Sequence, residues 1–449
     1  MLTEIALSTG YASFFLWLIG RSSFFRDNAL SNRKFQWLFI IKLAAGFGLY
    51  LIYTRYYSDR KYADIFRYYD DSRILFDALR NKPWDFFRML TGYHSDSPEL
   101  WEYYNEMKNW FNSEMIFNDA RTMIRLNALF RFASAGTYYP HMIFFCFLGF
   151  TGLTALYKTI VAEFRNNNVL IAIVLFLTPS ILLWTSGVIK EAFLVFAIGF
   201  SVYFLHSLAV KQHAKWKCIA GSLICLFFLL NIKSYMLFAI LPGLASWYLL
   251  KKKQVEGVNF SYKTVTSILA PFLVIHVLYF AALYNFAPLI THHAVPELLK
   301  NKQEEFYTLA KTEHAGSVVD IPLLENSGFS LVKNAPAAFI FTLTRPHLLE
   351  ANNPMMLLAA AENVFIIVLL LINIVFLFGK GNSFHGLSFI LFSKLLIITL
   401  FCLIGWVTPI LGAVVRYKVA ALPFLMALLF CNGKWAALNA KISKLIKAG

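Results

Sequence analysis

The stretch from Lys61 to Leu79, KYADIFRYYDDSRILFDAL, sets Asp64, Arg67, Asp70 and Asp71 among tyrosines and phenylalanines just after an apolar run. A helix starting at Asp64 would carry Asp64, Arg67 and Asp71 on one face, at i, i+3 and i+7. Carboxylates beside a guanidinium suit general-base work on a hydroxyl. A solvated helix end with ordinary ion pairs explains the same pattern. The stretch therefore needs partners from elsewhere in the chain.

Five further places supply candidates. In LTPSILLWTSGVIKEAF the adjacent Lys190 and Glu191 open an apolar run. Ionisable groups at such a boundary are expensive to bury unless paired or wet; a snorkelling lysine and a glutamate favoured by the helix dipole are the bland alternative. Lys233 follows Asn231 in NIKSY, where simple snorkelling is equally natural. Arg345 in TRPHLLE can fork onto a phosphate, with Glu350 close by, and Glu362 sits inside LLAAAENVFIIV, where it could orient an Arg or Lys. Arg416, in RYKVAALP, falls in the final apolar run; the alternative is a break there into two shorter helices, with Arg416 on the cytoplasmic side.

The elements that must position these groups are membrane helices. Of 449 residues, 58% are hydrophobic and 15% charged, against roughly 25% charged in soluble domains. The expectation is an all-α, polytopic transmembrane helix bundle, one membrane domain over 1–449. Apolar runs fall at 4–20, 35–54, 137–157, 168–186, 190–209, 217–231, 235–250, 264–287, 356–378, 385–406 and 410–431, about eleven spans. The first run is followed by RSSFFRDN and reads as a retained span, not a cleaved signal. The five cysteines lie in or beside apolar runs with no CxxC pair, which predicts neither a disulfide framework nor a metal site.

Basic residues concentrate in RSSFFRDNALSNRK, around Lys158 and Arg165, in KQHAKWK, in KKK at 251–253, and in the tail at Lys434, Lys441, Lys444 and Lys447. These alternate correctly if all are cytoplasmic, with the N-terminus outside and the C-terminus inside. Two long polar segments, 55–135 and 288–355, then lie on the outer face with interfacial amphipathic helices at RTMIRLNALFRF and PELLKNKQEEFYTLAKTEH. TGYHSDSPELWEYYNE reads as a surface loop. Asp64, Arg67, Lys190, Glu191, Lys233, Arg345 and Arg416 share that face under this topology. Net charge is +16, but the basic residues flank apolar runs; anionic lipid or a phosphate-bearing substrate is the expected partner, and no nucleic acid. No P-loop, His–Glu metal motif or nucleophile elbow is present, which argues against ATP hydrolysis and metal-dependent proteolysis.

The phrases YADIFRYYDD, PSILLWTSGVIKEAF, RPHLLEANN and RYKVAALP, with an acidic motif in the first large outer loop, resemble GT-C-type integral-membrane glycosyltransferases. The likeness is to the bacterial branch that uses polyprenyl-phosphate sugars to build surface polysaccharide or glycolipid. It implies a multi-pass protein of the bacterial inner membrane that transfers sugar, with inversion, to a glycan or lipid acceptor outside the cytoplasm. It implies Asp64 as the general base, with Asp70 or Asp71 as the alternative base. Arg67 and the remaining acid would shape the pocket, and Lys190, Arg345 and Arg416 would hold the lipid phosphate. The acids are compatible with Mg²⁺ or Mn²⁺, though no spacing demands a metal.

Two other readings compete. An O-antigen-type polysaccharide polymerase would lean on Arg345 and Arg416 and tolerate loss of the Asp64 carboxylate. A flippase or transporter of lipid-linked oligosaccharide would want polar residues spread in depth through the bilayer; here they concentrate at one face.

Overall fold

The computed structural model describes residues 2–56, 60, 63–111, 119–164, 167–210, 214–252, 262–312, 316–377 and 386–448. Among them the fold is all-α: helices joined by short turns, with one isolated antiparallel bridge between Val318 and Ile410. Among the described residues eight helices are long and apolar enough to cross a membrane, and a ninth span results if the bent pair Leu411–Lys418 and Leu422–Leu429 counts as one. The chain is thus built as a multi-pass membrane protein.

The difference from about eleven lies in three segments. The expected span 168–186 is two short helices, Asn168–Leu177 and Pro179–Trp184, because Pro179 lacks the N–H that would continue the first. The 235–250 segment forms the Ser234–Lys252 helix, whose apolarity is diluted by Pro242, Gly243, Ser246 and Trp247. The 410–431 segment breaks at residues 419–421 and bends by 65°. The break that the sequence left open is therefore real.

Packing divides the chain into two compact units. The first comprises Met1–Ala155, Leu182–Ser201 and Leu223–Tyr235. Its helices Tyr138–Phe164 and Lys190–Val210 touch backbone to backbone, since a Cβ on Gly199 would stand 2.1 Å from the Gly152 carbonyl oxygen. Its polar part is a folded cap. The Asp64–Asn81 helix carries an acid in its first turn and Arg80 in its last, as the helix dipole favours. Its buried face, with Ile65, Phe66, Tyr68, Tyr69 and Leu75, packs on the Asp119–Ser134 helix, which buries Met123, Ile124 and Ala128.

That packing adds detail to two expectations. RTMIRLNALFRF does not offer its whole apolar stripe to a membrane surface: Met123 and Ile124 are buried in protein, and Leu129 and Phe132 are the exposed apolar residues. TGYHSDSPELWEYYNE is a turn-rich, largely exposed segment that is pinned at a few points. Gly92, in the left-handed conformation (φ 86°), ends the Pro83–Thr91 helix; Leu100 and Tyr104 are buried, and Arg88 donates to Glu99 at 2.8 Å.

The second unit comprises Leu156–Ile181, Val202–Ser222 and Met236–Gly449. Its strongest packing joins the Gly328–Thr344 helix to the Leu387–Val407 span. Gly405 permits the approach, because a Cβ there would lie 2.1 Å from the Ala338 carbonyl oxygen, and Thr342 Oγ1 donates to the Phe401 carbonyl at 2.8 Å. The amphipathic Val295–Thr312 helix is tied to the same span through Gln303 Nε2, which donates to the Trp406 carbonyl at 2.7 Å. All five cysteines are free thiols.

Candidate active site at the head of an apolar helix

In the first unit Lys190 starts the Lys190–Val210 helix, a position where a cation opposes the helix dipole and needs a counter-charge. The counter-charge comes from Asp119, the first residue of the Asp119–Ser134 helix: Lys190 Nζ donates to Asp119 Oδ2 at 2.6 Å. The same ammonium lies 4.8 Å from the centre of the Tyr68 ring, and only 12% of the Lys190 side chain is exposed. Burial pushes the Tyr68 hydroxyl above its usual pKa; the Lys190 charge opposes that rise, and Asp119 and Asp64 add to it. Asp64, Tyr68, Asp119 and Lys190 thus form one electrostatic cluster. Arg67 joins it through Asp64, Nη1 to Oδ1 at 3.5 Å, with both side chains about a quarter exposed (27%).

Glu191, next in sequence, does not pair with Lys190. It is buried and accepts from Lys233 Nζ at 3.3 Å. Lys233 is therefore no snorkelling lysine: its side chain is 7% exposed and it opposes an almost fully buried carboxylate. Burying such charges is tolerated when opposite charges face each other.

The other two acids of the first motif are committed elsewhere. Asp70 is bound by Arg60, at 2.6 and 3.0 Å, on the exposed side of the helix. Asp71 is buried and accepts from the Lys108 N–H at 3.1 Å, the Asn109 N–H at 2.8 Å and Asn109 Nδ2 at 2.9 Å. Burial raises its pKa, and these donors only partly offset the rise. Asp70 is thus held in an exposed ion pair and Asp71 anchors a loop, while Asp64 is the acid of the motif that borders Lys190. These carboxylates point to separate partners, and among the described residues no three or more His, Cys, Asp or Glu side chains gather as metal ligands.

The second unit has its own polar cluster. Arg345 Nη1 pairs with Glu350 Oε1 at 3.2 Å, and Glu350 Oε2 accepts from the His347 N–H at 2.8 Å, closing the 345–350 turn on itself. The turn is held from behind by Lys418, whose Nζ donates to the Arg345 carbonyl at 3.1 Å and to Asn363 Oδ1 at 2.8 Å. Asn363 Nδ2 in turn donates to the Pro346 carbonyl at 3.0 Å. Glu362 accepts from the Ser180 N–H at 2.7 Å and lies within electrostatic reach of Lys418, the lysine that holds the turn. Arg416 lies in the last turn of the first half of the bent pair, partly exposed.

Three participants were not singled out from sequence. Asp119 precedes RTMIRL as the first acid of a helix, a signal that was available. Lys418 stands beside Arg416 in RYK, and only packing tells the two apart. Lys42 is a lone charge in LFIIKLAAG, which should have stood out; it is 1% exposed within the Asn32–Leu51 helix, and its Nζ donates to Thr185 Oγ1 at 2.5 Å. It holds the 185–189 turn just ahead of Lys190. The chain matches no protein family, no curated protein and no solved structure.

Proposed function

We propose that the chain is a GT-C-type glycosyltransferase of the bacterial plasma membrane. It moves a sugar from a polyprenyl-phosphate carrier to a hydroxyl of a glycan or lipid acceptor on the extracytoplasmic face. One observation carries the reading: Asp64, Tyr68, Asp119 and Lys190 share a cluster at the head of a membrane-length helix, with Arg67 alongside. A carboxylate able to take a proton and cations able to hold a phosphate meet where a lipid headgroup would lie.

The residues define the steps. Asp64 accepts the proton of the acceptor hydroxyl as its oxygen attacks the anomeric carbon. The bond from that carbon to the phosphate oxygen breaks, and the electron pair leaves with the lipid phosphate. Arg67 and Lys190 stabilise the charge that develops there, and attack opposite the leaving group inverts the centre. Asp119 keeps Lys190 charged and aimed, and Tyr68 packs beside the ammonium. Arg345 and Arg416 belong to the second unit, and the reading does not depend on them.

The test is sugar transfer in proteoliposomes supplied with polyprenyl-phosphate sugars. Asp64→Asn should reduce transfer by about 100-fold or more, the usual range for a lost general base. If Asp64→Asn keeps most activity while Arg345→Gln abolishes it, the assignment moves to the polymerase class.

A further inference from the structure

The far end of the first two helices forms a groove of about 400 Å³, lined by Trp17, Gly20, Arg21, Asn32, Arg33 and Gln36. Arg21 closes the Leu2–Arg21 helix, and Arg33 lies in the first turn of the Asn32–Leu51 helix. Both side chains are exposed, and no carboxylate among the described residues engages either guanidinium. The acid of the connecting segment, Asp27, is turned onto its own loop, accepting from the Ala29 N–H at 2.8 Å and the Leu30 N–H at 2.7 Å.

The remaining polar lining also suits an anion. Asn32 Nδ2 donates to the Ile19 carbonyl at 2.6 Å and the Ser22 carbonyl at 2.8 Å, and Gln36 Nε2 donates to the Leu16 carbonyl at 2.8 Å. These amides cover carbonyls at the negative end of the first helix, which would otherwise repel an anion. Two guanidinium forks are left as the open donors, and guanidinium binds phosphate oxygens in parallel pairs.

We infer that this groove holds the phosphate of an anionic phospholipid. Both helices are of membrane length, so their shared end sits at headgroup depth. Phe14 stacks on Trp17 with ring centroids 6.1 Å apart, both at least half exposed, and offers an apolar wall one turn deeper for an acyl chain. This site is independent of the Asp64 cluster and of the proposed transfer reaction.

The test uses the full chain in phosphatidylcholine nanodiscs doped with phosphatidylglycerol, with bound lipid counted by native mass spectrometry. The double variant Arg21→Gln/Arg33→Gln should retain about tenfold less phosphatidylglycerol than the wild type. Arg21→Lys/Arg33→Lys should restore much of it, and Lys444→Gln, an exposed cation of the tail, should change nothing. Undiminished retention in the double glutamine variant, or an equal loss in Lys444→Gln, overturns the site. Inorganic phosphate raising the unfolding temperature as much as phosphatidylglycerol does would overturn the lipid as its occupant.

Discussion

Lys190 and Lys418 are both largely buried lysines at the end of an apolar helix, one in each unit, and they are neutralised in different ways. Lys190 faces a carboxylate, Asp119, brought from 71 residues away, beside a second acid that keeps some access to solvent. Lys418 gives its hydrogen bonds to neutral oxygens, the Arg345 carbonyl and the Asn363 side chain, with the buried Glu362 carboxylate within electrostatic reach but not hydrogen-bonded to it. A cation matched by one carboxylate at a half-open edge can trade part of that contact for a phosphate. A cation spent on carbonyls is a strut, and its replacement should be felt in the turn it holds before it is felt in any chemistry. The same contrast separates Asp64 from Asp71 within a single helix: one borders the cluster, and the other is consumed by a loop.

The comparison breaks most sharply at the Glu191–Lys233 pair. Glu191→Gln removes the buried carboxylate opposite Lys233 and should lower stability by roughly 3–5 kcal/mol, read as unfolding temperature in detergent. Restoring much of that with Glu191→Gln/Lys233→Met would show that charge, and not packing, sets the loss. Lys190→Met should cut sugar transfer by about 100-fold, as loss of one transition-state donor does. If Lys190→Met transfers sugar as well as the wild type, Lys190 is a strut like Lys418 and the distinction fails. Lys418→Met should cost about 1–3 kcal/mol of stability, because the Arg345 carbonyl loses a buried donor, with a smaller effect on transfer than Lys190→Met. Arg60→Gln removes an exposed pair and should change stability by less than about 1 kcal/mol.

Asp71 gives the smallest and most specific effect. Its folded pKa is raised by burial, so the folded state holds the proton more tightly than the unfolded chain. The stability it contributes is fully present below the ordinary carboxylate pKa and declines as pH rises through the folded value. The stability gap between wild type and Asp71→Asn should therefore narrow as pH rises from mildly acidic toward neutral. A widening gap in pH-dependent unfolding would show that the three N–H donors outweigh burial.

Most of the architecture was legible in the residue pattern, because a membrane span needs only a run of apolar residues long enough to cross, a local property of the chain. Helices at Asp64–Asn81, Asp119–Ser134 and Val295–Thr312 follow from local periodicity in the same way. The segments that departed, 168–186, 235–250 and 410–431, are those where proline or diluted apolarity competes with length. The candidate site was legible as a set of residue types and not as a set of contacts. Lys190 and Glu191 are neighbours in sequence, yet successive helix residues point about 100° apart, so each meets a different element. The sequence by itself determined that this is a helical membrane protein and which charges are too costly to be idle. Only the tertiary structure decided that Asp119 and Lys233 neutralise that adjacent pair, that Asp70 and Asp71 are spoken for, and that Lys42 and Lys418 are struts. Partner choice depends on which helix faces are brought together across long stretches of chain, and no local pattern encodes that.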